Sequence, residues 1–220
     1  MDVNSADQFG DAGDYDRARK SLYDVSKLLF AFPPQRENER HFLLAAVRRT
    51  LSLERAFLQA VDDHNGQMAM TMVRLNLDTV ARSYALYWAE KTPGMTAESF
   101  ARRVAAGESI KDFKFLGGKE KATDKWLIEQ ITPLEAWIKD VYRTTSGAIH
   151  FSDFHIKQLL QQHDGSSPRS DGAVVVSLVL GPTDFEPSPS RYDEVRAAFL
   201  HTTLLLLNLI FHRAKRAGVA

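Results

Sequence analysis

Arg143, Ser146 and His150, in the stretch VYRTTSGAIHFSDFH at residues 141–155, are the side chains whose types and spacing best suit chemistry. A histidine titrates near neutrality and can move a proton. An arginine holds a phosphate or a developing anion with a planar fork of donors. A serine or tyrosine hydroxyl orients a ligand or the imidazole itself. Together these groups suit phosphodiester chemistry that needs no metal. Tyr142, Ser146 and His150 recur at steps of four, and Arg143 precedes His150 by about two helical turns, so in a continuous helix the Arg/His pair shares a face. Gly147 lies between them and weakens a helix interior. A break there still leaves Ser146 and His150 close, at a bend.

Spacing alone has little weight. An arginine, four to six residues and a histidine also occur at Arg36/His41 and Arg196/His201. The middle pair stands apart by its setting, among hydroxyls and after a tryptophan-containing helix. The competing reading is structural: Tyr142, Ser146 and His150 satisfy one another in a seam between helices. A second polar stripe, Arg74, Asp78 and Arg82, interrupts the apolar segment 68–91 at steps of four. Buried charges must be paired. The stripe is therefore either a ladder along its own helix or a set turned toward the His150 helix, with Asp78 orienting the imidazole and Arg74 adding affinity for an anion.

Arg143 and His150 on a helix of an all-helical domain resemble the signature of the HEPN superfamily (higher eukaryotes and prokaryotes nucleotide-binding). The phrase TSGAIHFS is similar to the Ser…His segment of uncharacterised bacterial helical proteins associated with it. The resemblance covers about two helices. It implies a metal-independent ribonuclease of toxin or defence type, with RNA or a nucleotide as partner and Arg and His of two protomers meeting across a homodimer. Arg143 and His150 would then be catalytic, and Arg74, Asp78, Tyr142 and Ser146 would bind or organise. Other members are non-catalytic binding or sensing domains. Two features depart from the usual pattern: Thr144 follows the arginine where a polar Asn, Asp or His is common, and Gly147 lies within the motif.

The elements that must position these groups are mainly helical. Residues 1–13 read as a mobile acidic tail, and 14–220 as a single domain. Asp14 caps a helix to about Phe32, ended by Pro33-Pro34, with Leu22, Val25, Leu28 and Leu29 as its apolar stripe. A long helix over 36–63 follows, with Arg48–Arg49 and Glu54–Arg55 read as a solvated face. The Asn65-Gly66 turn leads to the helix over 68–91, apolar almost all round and so central. Thr96 caps a short helix to Ala105. The stretch 107–125 reads as an exposed loop, although its five lysines interleave with Phe113 and Phe115 as in single-strand nucleic-acid surfaces. A short helix over 126–131 leads to Thr132-Pro133-Leu134-Glu135, which has the composition of a capped helix start. Helix continues over 156–163, and 164–172 is a Ser/Gly/Pro loop. AVVVSLVL at 173–180 reads as a strand that needs a partner, from 112–116, 184–186 or another protomer. Ser190 with Asp193 caps the last helix, through about Lys215. The fold class predicted is mainly α, a multi-helix bundle with one short strand or hairpin before the C-terminal helix.

Composition bounds the function. The formal net charge is zero, with 28 basic and 28 acidic residues, so any nucleic-acid site must be local. With no cysteine there is no disulfide or thiolate chemistry, and the polar N-terminus is unlike a signal peptide, which points to the cytoplasm. The longest apolar run, 197–211, falls short of the roughly twenty residues of a spanning helix and reads as a core helix, with no membrane partner. Phosphate-loop, dinucleotide-glycine, HExxH and GxSxG motifs are absent. His150, Asp153 and His155 match no standard ligand spacing, so no metal or other cofactor is expected.

Overall fold

The computed structural model describes residues 12–168, 171 and 174–220. Among these, eight α-helices follow one another: α1 (Ala12–Leu28), α2 (Glu37–Asp62), α3 (Gly66–Glu90), α4 (Ala97–Ala105), α5 (Asp124–Ile131), α6 (Trp137–Ile149), α7 (Asp153–Gln161) and α8 (Pro189–Arg216). An antiparallel hairpin, β1 (His163–Pro168) and β2 (Val174–Leu178), joins α7 to α8. The chain is thus a mainly α multi-helix bundle with one hairpin before its last helix. The tail expected over 1–13 lies outside the described residues as far as residue 11, and Ala12 and Gly13 already belong to α1.

Apolar patterning makes α3 the hub. It packs against α2, α4, α5, α6 and α8, and Val73, Leu77, Val80, Ala81, Ala85, Leu86 and Ala89 are buried along it. Its start is local chemistry: the Asn65 side chain accepts from the Met68 amide, so Asn65-Gly66 opens the helix rather than preceding it as a free turn. At the centre, where a purely apolar seam would let helices slide, a polar ladder sets their register. Thr50 donates to Asn76, and Asn76 donates to Thr203, at 2.9 and 3.2 Å, joining α2, α3 and α8. All three residues are buried.

Two apolar clusters flank this ladder. The larger holds Leu22, Leu29, Leu43, Leu77, Phe100, Leu127, Ile138 and Leu206. The smaller stacks Phe57 on Phe199, with ring centroids 4.4 Å apart, and places Tyr15 beside both. The far end of the bundle is pinned by charge. Arg213, with no exposed surface, donates to Glu39 at 2.7 Å and to Glu90 at 2.7 Å, and Arg36 holds the same Glu39. The Glu98 carboxylate of α4 accepts from the Asn38 and Glu39 amides at the start of α2, where unsatisfied amides favour an anion.

Several expectations are corrected. Thr132–Leu134 forms a 3-10 turn, Thr132 donates back to the Ile128 carbonyl, and α6 starts at Trp137 without a side-chain cap. The capped start expected at Thr132–Glu135 is not formed, and Pro133 continues the turn out of α5 instead of opening a new helix. Phe113 and Phe115 are buried against Phe100 at 4.8 and 5.6 Å, so the aromatics of 107–125 belong to the core and do not form a nucleic-acid surface. Glu54 is buried and paired with Arg19, while Arg48, Arg49 and Arg55 are exposed. The strand finds its partner in 163–168, read from sequence as the end of a helix and a loop. The last helix takes Pro189 at its first position and Ser188 before it, with no side-chain cap from Ser190. Among the described residues α8 is the one helix long and apolar enough to cross a bilayer by length and composition. In this fold its inner face, including Phe199, Leu206, Ile210 and Arg213, is core.

Candidate functional site

The stretch 141–155 folds as a corner between α6 and α7, not as one rod. Helix α6 ends at Ile149, and His150 is extended, at φ −112° and ψ 136°. The corner is built from the residues that looked reactive. Ser146 donates to the Tyr142 carbonyl, and Thr145 donates to the Val141 carbonyl, the back-bonding common to hydroxyls in helices. Ser152 accepts from the Phe154 amide and donates to the Gly147 carbonyl, while His155 Nδ1 accepts from the Ser152 amide. These bonds cap α7. Gly147 is where the two helices touch: a Cβ there would lie 2.8 Å from Phe154 Cβ. Gly147→Val is therefore expected to lose about 1–3 kcal/mol of stability by overpacking, read from urea denaturation. A change below about 0.5 kcal/mol would mean the corner is not packed in this way.

The predicted site residues separate. Arg143 is exposed and pairs with Asp140 at 3.0 Å on its own helix. His150 is exposed beyond the end of α6. His150 thus lies one position past the last helical residue, with its own backbone extended, so the pair does not stand on one continuous helix. Tyr142 faces inward, with the buried Arg74 guanidinium stacked 4.4 Å from its ring centroid. Arg74 does meet the His150 helix, through Tyr142. Asp78 does not orient the imidazole. It accepts from Arg82 at 2.8 Å, and Asp124 at the start of α5 bridges Arg82 and Arg74 at 2.5 and 3.8 Å. The stripe is thus partly the ladder and partly a bridge to two neighbouring helices. Among the described residues no three His, Asp or Glu side chains are placed to hold a metal ion.

Concavity lies on the other side of α6. Met70 and Val73 of α3, Trp137, Asp140, Val141, Thr144 and Thr145 of α6, and Glu194, Val195, Ala197, Ala198 and His201 of α8 line a hollow of about 440 Å³. A second hollow, about 340 Å³, adjoins it beneath α7 and the connector 184–188. Met70, Thr144, Glu194 and Val195 line both, so the two form one cleft. Its far wall is fixed by Asp184, whose amide donates to the His64 carbonyl and whose carboxylate accepts from the Tyr192 hydroxyl at 2.9 Å. Burial, and then the bond to and charge of Asp184, push the Tyr192 phenol well above the ordinary tyrosine range, so it stays a neutral donor.

Sequence reasoning did not reach this cleft. Trp137 and Val141 show in the sequence only as part of an amphipathic period, His201 only as a spacing partner of Arg196 and a member of the apolar run, and nothing local marks Asp140 or Glu194. The available signal was the pair Ala197-Ala198: small side chains on a helix otherwise rich in Leu and Phe leave a gap where α8 passes α6. Fold and site together define a helical bundle with a single-chain cleft between three of its helices. No protein-family profile, curated protein or solved structure matches the chain.

Proposed function

We propose that this chain is a non-catalytic helical binding module that takes a small ligand into the cleft between α3, α6 and α8. One observation carries this: the larger hollow has an apolar floor of Met70, Val73, Val141, Val195 and Ala198 beside the carboxylates Asp140 and Glu194 and the Thr144 hydroxyl. That hollow is of the size, and has the mix of apolar wall and few polar groups, typical of small-molecule sites. Of the reactive-looking residues of 141–155, Ser152 and His155 hold the α6–α7 corner, which forms one side of the entrance. Filling the floor with Ala198→Phe and Val195→Trp tests this. A small-fragment library should contain compounds that raise the melting temperature of the wild type and leave the folded filled variants unmoved. Compounds that shift both equally, or no compound that shifts the wild type, would count against it.

A second reading keeps the HEPN-like ribonuclease. Its support is that Arg143 and His150 are both open to solvent, and that the His150 imidazole has no hydrogen-bond partner among the described residues. In this reading, as the resemblance implies, cleavage would need two copies facing each other. His150 would act as acid/base and Arg143 would stabilise the charge of the phosphorane. RNA incubated in chelator should be cut by the wild type, with a rate rising steeply with protein concentration, and not by His150→Ala. That variant should keep its stability to within about 0.5 kcal/mol, as exposed substitutions do. Cleavage equal in both proteins, or in neither, would remove this reading.

A further inference from the structure

We infer that the cleft selects an organic cation carrying an apolar body, an inference that rests on the cleft being a ligand site. The charge of its walls decides the sign. In the larger hollow the acidic and basic lining residues are Asp140, Glu194 and His201, and none is a lysine or arginine. Asp140 stands on α6 and Glu194 on α8, so carboxylates guard both sides of the opening. Glu194 has no ion-pair partner among the described residues and also lines the adjoining hollow, which places it where the two compartments meet. There Asp184 and Glu186 add acid, against Lys157 and Arg191.

Asp140 is already engaged by Arg143 at 3.0 Å, but both side chains are mostly exposed, at 71% and 79%. Such surface pairs exchange partners at little cost. An entering cation can therefore take the carboxylate, and Arg143 can turn to solvent. Beside Thr144 and Thr145, the remaining polar lining of the hollow is aromatic. The Trp137 indole lies 6.0 Å from the His201 ring, tilted by 43°. An indole face beside carboxylates favours a weakly hydrated cation over a compact, strongly hydrated one. Below the rim, Val73, Val141, Val195 and Ala198 offer no acceptor or donor side chain, which suits an alkyl or aryl body. An anion of the same size would meet like charge at both rims.

Three probes that share a six-carbon chain and differ in head-group charge separate the possibilities: hexyltrimethylammonium, hexanol and hexanoate, titrated into the full chain by calorimetry. The cation should bind most tightly and hexanoate least. Glu194→Gln should weaken the cation about fivefold while leaving hexanol unchanged, the size of one lost charge contact near a wet surface. Arg143→Ala should strengthen the cation, because it frees Asp140, and this gain has no counterpart if Arg143 only props the helix. Equal binding of all three probes, abolished in Ala198→Phe, would overturn the charge preference and leave the ligand site standing. No binding of any probe, or binding undiminished in Ala198→Phe, would overturn both.

Discussion

Arg213→Met is expected to lower stability by about 3–5 kcal/mol, toward the lower end because Arg36 still neutralises Glu39. At about 2–4 °C per kcal/mol for a chain of this length, the melting temperature should fall by roughly 6–20 °C. The guanidinium is fully buried and holds Glu39 of α2 and Glu90 of α3 at once, with Tyr87 5.2 Å beneath it. Methionine keeps most of the volume and removes the charge, so the loss reports the carboxylates left without it. A fall below about 1 kcal/mol would show that the three helix ends do not meet through this side chain. The same cluster predicts a pH dependence. Burial pushes the Glu90 carboxyl up, but the hydrogen bond and charge of Arg213, with Arg216, outweigh it and hold the group below the ordinary glutamate range. A carboxylate depressed in the folded state contributes stability above its unfolded value and loses it as pH falls through the folded one. Wild-type stability should therefore drop on acidification below about pH 4.5, the ordinary glutamate value. Glu90→Gln should be less stable at neutral pH and show a smaller drop.

Phe199→Ala should cost a similar amount, about 3–5 kcal/mol, for a different reason. Phe199 is fully buried and stacks on Phe57 at 4.4 Å, with Tyr15 at 6.5 Å, so truncation opens a void where α1, α2 and α8 converge. Tyr15 is held there from its other end, its hydroxyl donating to the Arg196 carbonyl at 2.7 Å, and the groups around the void have little room to collapse. The same cluster includes Val73, and Val141, Val195 and Ala198 pack against it from the cleft side. The variant should therefore weaken ligand binding as well as stability. Leu204→Ala, on the exposed face of the same helix, serves as the control and should cost well under half as much. Equal losses at the two positions would mean that the inner and outer faces of α8 have been misassigned.

Much of the fold was legible in the chain itself. The apolar stripes of α1 and α2, the all-round hydrophobicity of α3, the Thr96 cap and the β-branched run before the last helix are local signals, and each became the expected element. Local signals succeed there because burial of a face and satisfaction of an end amide depend on residues a few positions apart. The partner of β2 was not legible. Pairing in 163–168 depends on where α7 stops, and a Ser/Gly/Pro composition hides a strand whose hydrogen bonds come from backbone alone.

The candidate site divides along the same line. By itself the sequence determined that 141–155 is dense in polar groups, that Arg74 and Asp78 must find partners, and that no thiol or known cofactor loop is present. Only the tertiary structure decided where those groups point. Ser146 bonds back within α6, Ser152 and His155 close a helix corner, Asp78 holds Arg82, and Arg143 and His150 are both exposed. The cleft exists because Ala197 and Ala198 of α8 pass Val141 and Thr144 of α6, which lie 53 and more positions earlier in the chain. A hollow between helices is the volume left when side chains distant in sequence fail to fill the space between them, and no periodicity within either helix encodes that difference.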